Sequence, residues 1–231
     1  YIDIQRTLEL RLIYGSYPDI LNQSTDTQML LRNLTDSYLY KDILATENLR
    51  KPDLLDKLLR ALAYQVGSEV SYNELAQTVG SDSKTVEKYI ELLEKCFIIF
   101  RLNGLSRNLR NELKKAKKIY FYDNGIRNAV IQQFAPLEMR NDVGALWENF
   151  FISERIKRNH YQQHYCNMYF WRTQSQQEID YIEERDGMMT VFEMKWNPKK
   201  ANTTIPEAFL KAYHIKETAI ITPENYLDWL L

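Results

Sequence analysis

Apolar residues recur at helical spacing through the first third of the chain, and strand-like alternation takes over in the last third. Asp3 to Ile13 places Ile4, Leu8 and Leu12 on one face and runs into Gly15-Ser16-Tyr17-Pro18, a turn signal. Thr25-Asp26-Thr27-Gln28 has the form of a capping box. It predicts a long helix to about Thr46 with Leu30, Leu31, Leu34, Tyr38 and Leu39 as the buried stripe. Asp53 to Val66 predicts another amphipathic helix, with Pro52 in its first turn and Leu54, Leu55, Leu58, Leu59 and Leu62 inward.

Ser71 to Gly80 and Ser81 to Lys95 then predict two short helices joined across a glycine, a helix-turn-helix pattern. Val86, Ile90 and Leu93 would face its core, leaving Ser83, Lys84, Glu87 and Lys88 outside. Strand-like runs at Phe97–Leu102 and Lys118–Tyr122 follow, as the hairpin wing of a winged helix requires. Between them lies the densest basic run of the chain, Arg107, Arg110, Lys114, Lys115, Lys117 and Lys118 against Glu112. With Lys84 and Lys88, that run is the natural place for phosphate contacts. Glu87, Glu91 and Glu94 on the second helix point the other way, toward a protein partner, and the sequence leaves both readings open.

From Asp142 the order becomes helix (to Asn159), strands at Met168–Arg172, Glu178–Glu183 and Met189–Lys195, helix at Ile205–His214, strand at Thr218–Ile221 and a terminal helix at Glu224–Leu230. Thr173-Gln174-Ser175-Gln176 and Arg185-Asp186-Gly187 are the hairpin turns. A meander between helices predicts an α/β (α+β) layer fold rather than a doubly wound dinucleotide fold. The expected domains are a helical linker or lid over 1–50, a winged-helix-like domain over 51–135 and a third domain over 136–231.

Composition narrows the function classes. A formal net charge of −1 is unlike a dedicated nucleic-acid binder, so any such role rests on local patches. No apolar run reaches the length of a membrane span. Cys96 and Cys166 form no CxxC and suggest a reducing, cytoplasmic setting. His160 and His164 sit four apart, a spacing that would face both the same way on a helix, with Cys166 nearby. Asn159–Asn167 reads as loop, and without further ligands a zinc site is not the expected reading. Asp123, before Asn124-Gly125, is expected to serve a turn. The chain opens at Tyr1 inside a helix pattern and reads as part of a longer protein.

The candidate chemistry lies in Glu178-Ile179-Asp180 and Phe192-Glu193-Met194-Lys195-Trp196. In a strand Glu193 and Lys195 share a face, while Phe192, Met194 and Trp196 take the other. With Asp180 beside them, the carboxylates could hold a hard divalent cation, leaving Lys195 to act on a substrate. The alternative for Glu193 and Lys195 is an exposed ion pair at a sheet edge; Glu178 could assist the site or simply be solvated.

That order of elements, with a carboxylate on the second strand and Glu-x-Lys on the third, resembles the restriction-endonuclease-like superfamily with its PD-(D/E)xK signature, over about Asp142 to Leu231. The resemblance implies Mg2+ held by Asp180 and Glu193, with Lys195 orienting water or stabilising developing charge. It puts Glu148 in the helix position, with Glu154 as rival. Glu178-Ile179-Asp180 replaces the Pro-Asp pair of the signature.

Tyr14-Gly15-Ser16-Tyr17-Pro18, Tyr40-Lys41-Asp42-Ile43, Lys118 to Gly125, Gly144 to Glu154, Glu178 to Tyr181 and Phe192 to Lys195 are together similar to the C-terminal region of bacterial and archaeal AAA+ superfamily ATPases. In that family a preceding ATPase domain binds ATP. None of the seven glycines here begins a GxxxxGK[ST], so this region is not expected to bind ATP by a phosphate loop. Two functions follow from the resemblance. One is a Mg2+-dependent nuclease-like domain beside a DNA-binding winged helix. The other is a non-catalytic module contacting a protein partner or the AAA+ domain of the same protein.

Overall fold

The structure is a computed structural model and describes residues 2–21, 26–36, 52–106, 117–173, 175–200 and 204–231. The chain divides into two units, Tyr1–Arg101 with Ile119–Asp142, and Leu102–Lys118 with Val143–Leu231. Both mix helices and strands, giving an α+β fold.

The first unit contains α1 (Ile2–Tyr14), α2 (Pro18–Leu21), α3 (Thr27–Leu34), α4 (Pro52–Tyr64), β1 (Glu69–Val70), α5 (Tyr72–Val79) and α6 (Ser83–Lys95). The start of β2 (Ile99–Gly104), most of β3 (Lys117–Phe121), α7 (Asn124–Val130) and a 3-10 turn at Leu137–Met139 complete it. Leu8 and Leu12 of α1 and all five α4 leucines expected inside are buried. The cap of α3 is Asp26, which accepts from the Met29 amide at 3.2 Å, and the register of that helix is set there. Leu31 is buried while Leu30 and Leu34 are half-buried; Tyr38, Leu39 and the rest of the expected long helix lie outside the described residues.

Helices α5 and α6 follow the helix-turn-helix pattern closely. Ser71 caps α5, Gly80 ends it in the left-handed conformation (φ 72°), and Asp82 caps α6. Val86, Ile90 and Leu93 are fully buried, and Lys84, Glu87 and Lys88 are exposed. Glu94 does not join them outside. Its carboxylate accepts from the Arg101 amide at 2.8 Å and pairs with the Arg101 guanidinium at 2.5 Å, so that acidic charge is consumed within the wing.

Asn124-Gly125 is where a turn reading fails, because these residues open α7. The Asp123 carboxylate caps that helix through the Ile126 amide (3.1 Å) and also accepts from the Ser16 amide at 2.7 Å. Gly15 holds φ at 78°, and a Cβ there would stand 2.0 Å from Asp123 Oδ1, so only glycine fits this approach. Further along, Arg127 and Arg140 grip Asp142 at 2.6 and 2.8 Å. Burial alone would raise the Asp142 carboxyl; the bonds from Arg140 and Arg127 outweigh it and hold the group down to about 2.

The second unit is a meander covered by helices. It comprises α8 (Val143–Tyr161), β4 (Asn167–Arg172), β5 (Glu178–Arg185), β6 (Met188–Met194), α9 (Glu207–Ala212), β7 (Ile215–Ile221) and α10 (Leu227–Leu230). Strands β4, β5 and β6 pair antiparallel, β7 joins β6 in parallel, and Asn103–Gly104 of β2 lies parallel to β4. On one face Leu105, Trp171, Ile179, Ile182, Met189 and Val191 pack around Phe209 of α9. On the other, Phe192 meets Tyr181, Phe151 of α8 and Trp229 of α10. Helix α8 runs two residues past the expected Asn159, so His160 is helical and exposed, whereas His164 lies beyond the helix end. The two histidines therefore do not form a pair on one helical face.

Candidate active site

Strand alternation puts Met189, Val191, Glu193 and Lys195 on the face of the Phe209 cluster, with Thr190, Phe192 and Met194 opposite. Tyr181 pairs with Phe192, so Asp180 and Glu193 stand one step beyond the last paired residues of β5 and β6. There the Asp180 carboxylate accepts from the Met194 amide at 2.9 Å, which fixes it across the strand gap. Lys195 Nζ lies 3.0 Å from Glu193 Oε2 and 4.0 Å from Asp180 Oδ2. The three residues expected to converge on these strands do so.

Glu193 is only 4% exposed. Burial, and then the Asp180 charge, push its carboxyl up to about 7 despite the opposing pull of Lys195. For Lys195, burial works against the charged form, but Asp180 and Glu193 outweigh it and raise the ammonium above its ordinary range. A carboxyl poised near neutrality beside a permanently charged ammonium suits proton transfer or cation binding.

Glu148 approaches this group from α8. It pairs with Lys118 at 3.3 Å, and Lys118 also pairs with Glu178 at 2.5 Å. Its charge acts on Lys195 as well. Glu154 instead pairs with Lys157 at 2.7 Å, three residues along its own helix. The geometry therefore associates Glu148 with the strand residues.

Lys118 is the residue that the sequence reading misplaced. Counted among the basic run, it is 3% exposed and enclosed by Glu148, Glu178 and the ring of Phe170, whose centroid is 5.4 Å from Nζ. It is spent on internal partners and unavailable to phosphate. Lys117 is half-buried, and Arg107, Arg110, Lys114 and Lys115 lie outside the described residues.

One backbone oxygen ties the two sides of the site together. The Ile221 carbonyl at the end of β7 accepts from the Lys195 amide at 2.8 Å and from Trp147 Nε1 at 3.3 Å. Trp147 is fully buried and adjoins Glu148 in sequence.

The donor set can be tested against a hard cation. Glu148, Glu178, Asp180 and Glu193 face Lys118 and Lys195, with Arg172 at the rim 3.7 Å from Glu178. Carboxylates outnumber cations, and burial together with the Asp180 charge pushes the Glu193 carboxyl toward neutrality. Oxygen donors short of one positive charge fit Mg2+.

Among the described residues, His164, Cys166 and Glu183 also bring ligand atoms within 4.8 Å of one another. That group is already satisfied internally. Glu183 receives Arg155 Nε and Nη2 at 2.9 Å each, Asn159 Nδ2 at 2.6 Å and the Tyr181 hydroxyl at 3.2 Å. Burial and the Glu183 charge push the Cys166 thiol up to about 11, and both cysteines are free. Glu183 thus belongs to a buried ionic knot with Arg155 and Asn159, and its carboxylate is already committed there, with His164 and Cys166 half-buried beside it.

Comparison with known proteins agrees with the division of the chain. A domain of unknown function, DUF4143, matches residues 143–229, and the second unit resumes at Val143. Uncharacterized proteins of Mycobacterium tuberculosis and Mycobacterium bovis are each 25% identical over 170 residues, covering 71% of this chain and 37% of theirs. An uncharacterized protein of Haemophilus influenzae is 25% identical over 124 residues, 51% of this chain and 31% of that protein. The chain thus spans about a third of the length of these curated relatives. No solved structure matches. Among the described residues no helix is long and apolar enough to cross a membrane. A family model described as a domain of unknown function, DUF8612, matches residues 5–137, more than half of the chain, and the chain belongs to that family.

Proposed function

We propose that the second unit is a divalent-metal-dependent nuclease-type domain that hydrolyses phosphodiester bonds, and that the helix-turn-helix beside it in sequence binds nucleic acid. The observation that carries this reading is the convergence of Asp180, Glu193 and Lys195, with Glu193 buried and its carboxyl raised to about 7. Asp180 and Glu193 would hold Mg2+, which when bound would supply Lewis acidity toward a phosphodiester oxygen. The Met194 amide keeps Asp180 aimed into the site. Lys195, charged throughout the neutral range, offers its ammonium to negative charge developing on the phosphate. Glu193 must be ionised to hold the cation, and its raised carboxyl makes that binding depend on pH near neutrality. Glu148 is held at the rim of this group by Lys118.

On the first unit, Lys84 and Lys88 stand exposed on the outer side of α6, where phosphates would be met. ATP would belong to a preceding AAA+ domain, as in the ATPases this region resembles. The curated relatives extend well beyond the matched segment, which leaves room for one in them.

A second reading has its own observation, since Glu87 and Glu91 are exposed on the helix that carries Lys84 and Lys88. A protein-docking or regulatory module would use that mixed surface and retain the strand-end residues without cutting.

Incubating the purified chain with supercoiled plasmid and branched DNA in Mg2+ or Mn2+ separates the two. The nuclease reading expects metal-dependent cleavage, reduced at least tenfold in Glu193→Ala and in Lys195→Met. Absence of cleavage together with absence of metal binding by calorimetry rejects it. Retained DNA affinity that falls steeply with salt would still place the first unit on nucleic acid.

A further inference from the structure

We propose that Lys118 confines the site to a single divalent cation by acting as a built-in counter-ion for Glu148 and Glu178. The inference rests on the metal-binding reading above and adds to it the number of ions and a positioning residue from outside the strand-end motif.

The two lysines partition the carboxylates. Lys195 serves Asp180 and Glu193 at 4.0 and 3.0 Å, while Lys118 serves Glu148 and Glu178 at 3.3 and 2.5 Å. They differ in freedom. The Lys195 side chain is 27% exposed and can swing aside into solvent when a cation arrives. Lys118 is 3% exposed on β3, with the Phe170 ring of β4 against its ammonium. Burial would lower the Lys118 pKa, but the charges of Glu148 and Glu178 outweigh it and raise it above the ordinary lysine range. The ammonium is thus held in a buried position between Glu148, Glu178 and the Phe170 ring.

A second cation between Glu148 and Glu178 would have to displace that ammonium and leave a buried charge unpaired, which is the costly way to break a buried ion pair. The Asp180–Glu193 position carries no such obstacle. Lys118 thus takes the place of a second ion and holds the Glu148 carboxylate at a fixed distance from the rest of the site.

Titration with Mn2+ followed by electron paramagnetic resonance and calorimetry reads the stoichiometry without any catalytic assay. The wild-type chain and Lys118→Arg, which keeps the charge, are expected to bind one ion per chain. Lys118→Met removes the buried counter-ion shared by Glu148 and Glu178, with Arg172 still 3.7 Å from Glu178, and is expected to bind two. Two ions in the wild type, or one ion at wild-type affinity in a folded Lys118→Met, would overturn the role of Lys118 while leaving the metal site standing. No ion in the wild type would overturn the metal-binding reading itself, and this inference with it. Should Lys118→Met fail to fold, the wild-type and arginine stoichiometries still decide, since two ions in either is incompatible with a counter-ion at that position.

Discussion

Replacing Glu193 by glutamine is expected to stabilise the metal-free protein. In the native state the Glu193 carboxyl is raised from 4.5 to about 7 by burial and by Asp180. The folded protein therefore holds that proton more tightly than the unfolded chain does. Below about pH 4.5 both states are protonated and nothing is lost. As the pH climbs toward 7 the unfolded state ionises first, and stability falls across that window; above it the cost is complete. At about 1.4 kcal/mol per unit the cost is about 3 kcal/mol. Glutamine fills the same volume without titrating, but it weakens the contact to Lys195, so a net gain of about 2 kcal/mol is expected above pH 7. For a chain of this size that is roughly 4–8 °C in Tm. All four tryptophans lie in the second unit, so urea denaturation followed by tryptophan fluorescence reads this region without interference from the first. The gain should vanish near pH 4.5. Mg2+ should then stabilise the wild type but not the variant, more strongly at pH 8 than at pH 6, because the cation needs the ionised carboxylate. A variant less stable than wild type at pH 8, or a difference that does not change with pH, would refute the assignment of Glu193 as a strained, charge-deficient carboxyl.

Two further outcomes probe the knot beneath β5. Arg155→Ala leaves Glu183 buried without its bidentate partner and should cost about 3–5 kcal/mol in urea denaturation, with Arg155→Met/Glu183→Gln recovering much of it. Cys166, its thiol held up to about 11, should react with iodoacetamide at pH 8 at least about tenfold more slowly than free cysteine, as peptide mass spectrometry would show; labelling as fast as free cysteine would contradict its burial against Glu183.

What could be read from the sequence follows from how local its causes are. The strand pair bearing Asp180 and Glu193 was legible because period-two alternation and a hairpin turn at Arg185-Asp186-Gly187 fix both direction and face. Helices α5 and α6 were legible for the same kind of reason, a left-handed glycine between two capped amphipathic runs. Helix α7 was not, because Asn124 and Gly125 are poor helix formers that also favour turns; the cap from Asp123 and the close approach of Gly15 decide the matter, and the latter contact spans the whole unit. Lys118 was misread for a related reason. Its neighbours in sequence are basic, and only Glu148 and Glu178, brought in from α8 and β5, turn it inward. The choice between Glu148 and Glu154 likewise needed the packing of α8, since apolar residues surround much of that helix and leave no single polar stripe to read.

The Ile221 carbonyl has a consequence of its own. Because the Lys195 amide and the Trp147 indole both end on that oxygen, the ammonium and the helix carboxylate are measured from a common origin near the C-terminal edge of the sheet. A peptide oxygen is present whatever side chain occupies position 221, so the two bonds themselves ask nothing of side-chain chemistry there, while the fully buried Ile221 side chain anchors the strand that carries the oxygen. A one-residue insertion or deletion in β7, by contrast, would put a different carbonyl at that point and shift both halves of the site at once. The final strand works as a ruler for the site, its buried residues fixing where it lies and its length fixing which carbonyl meets both halves.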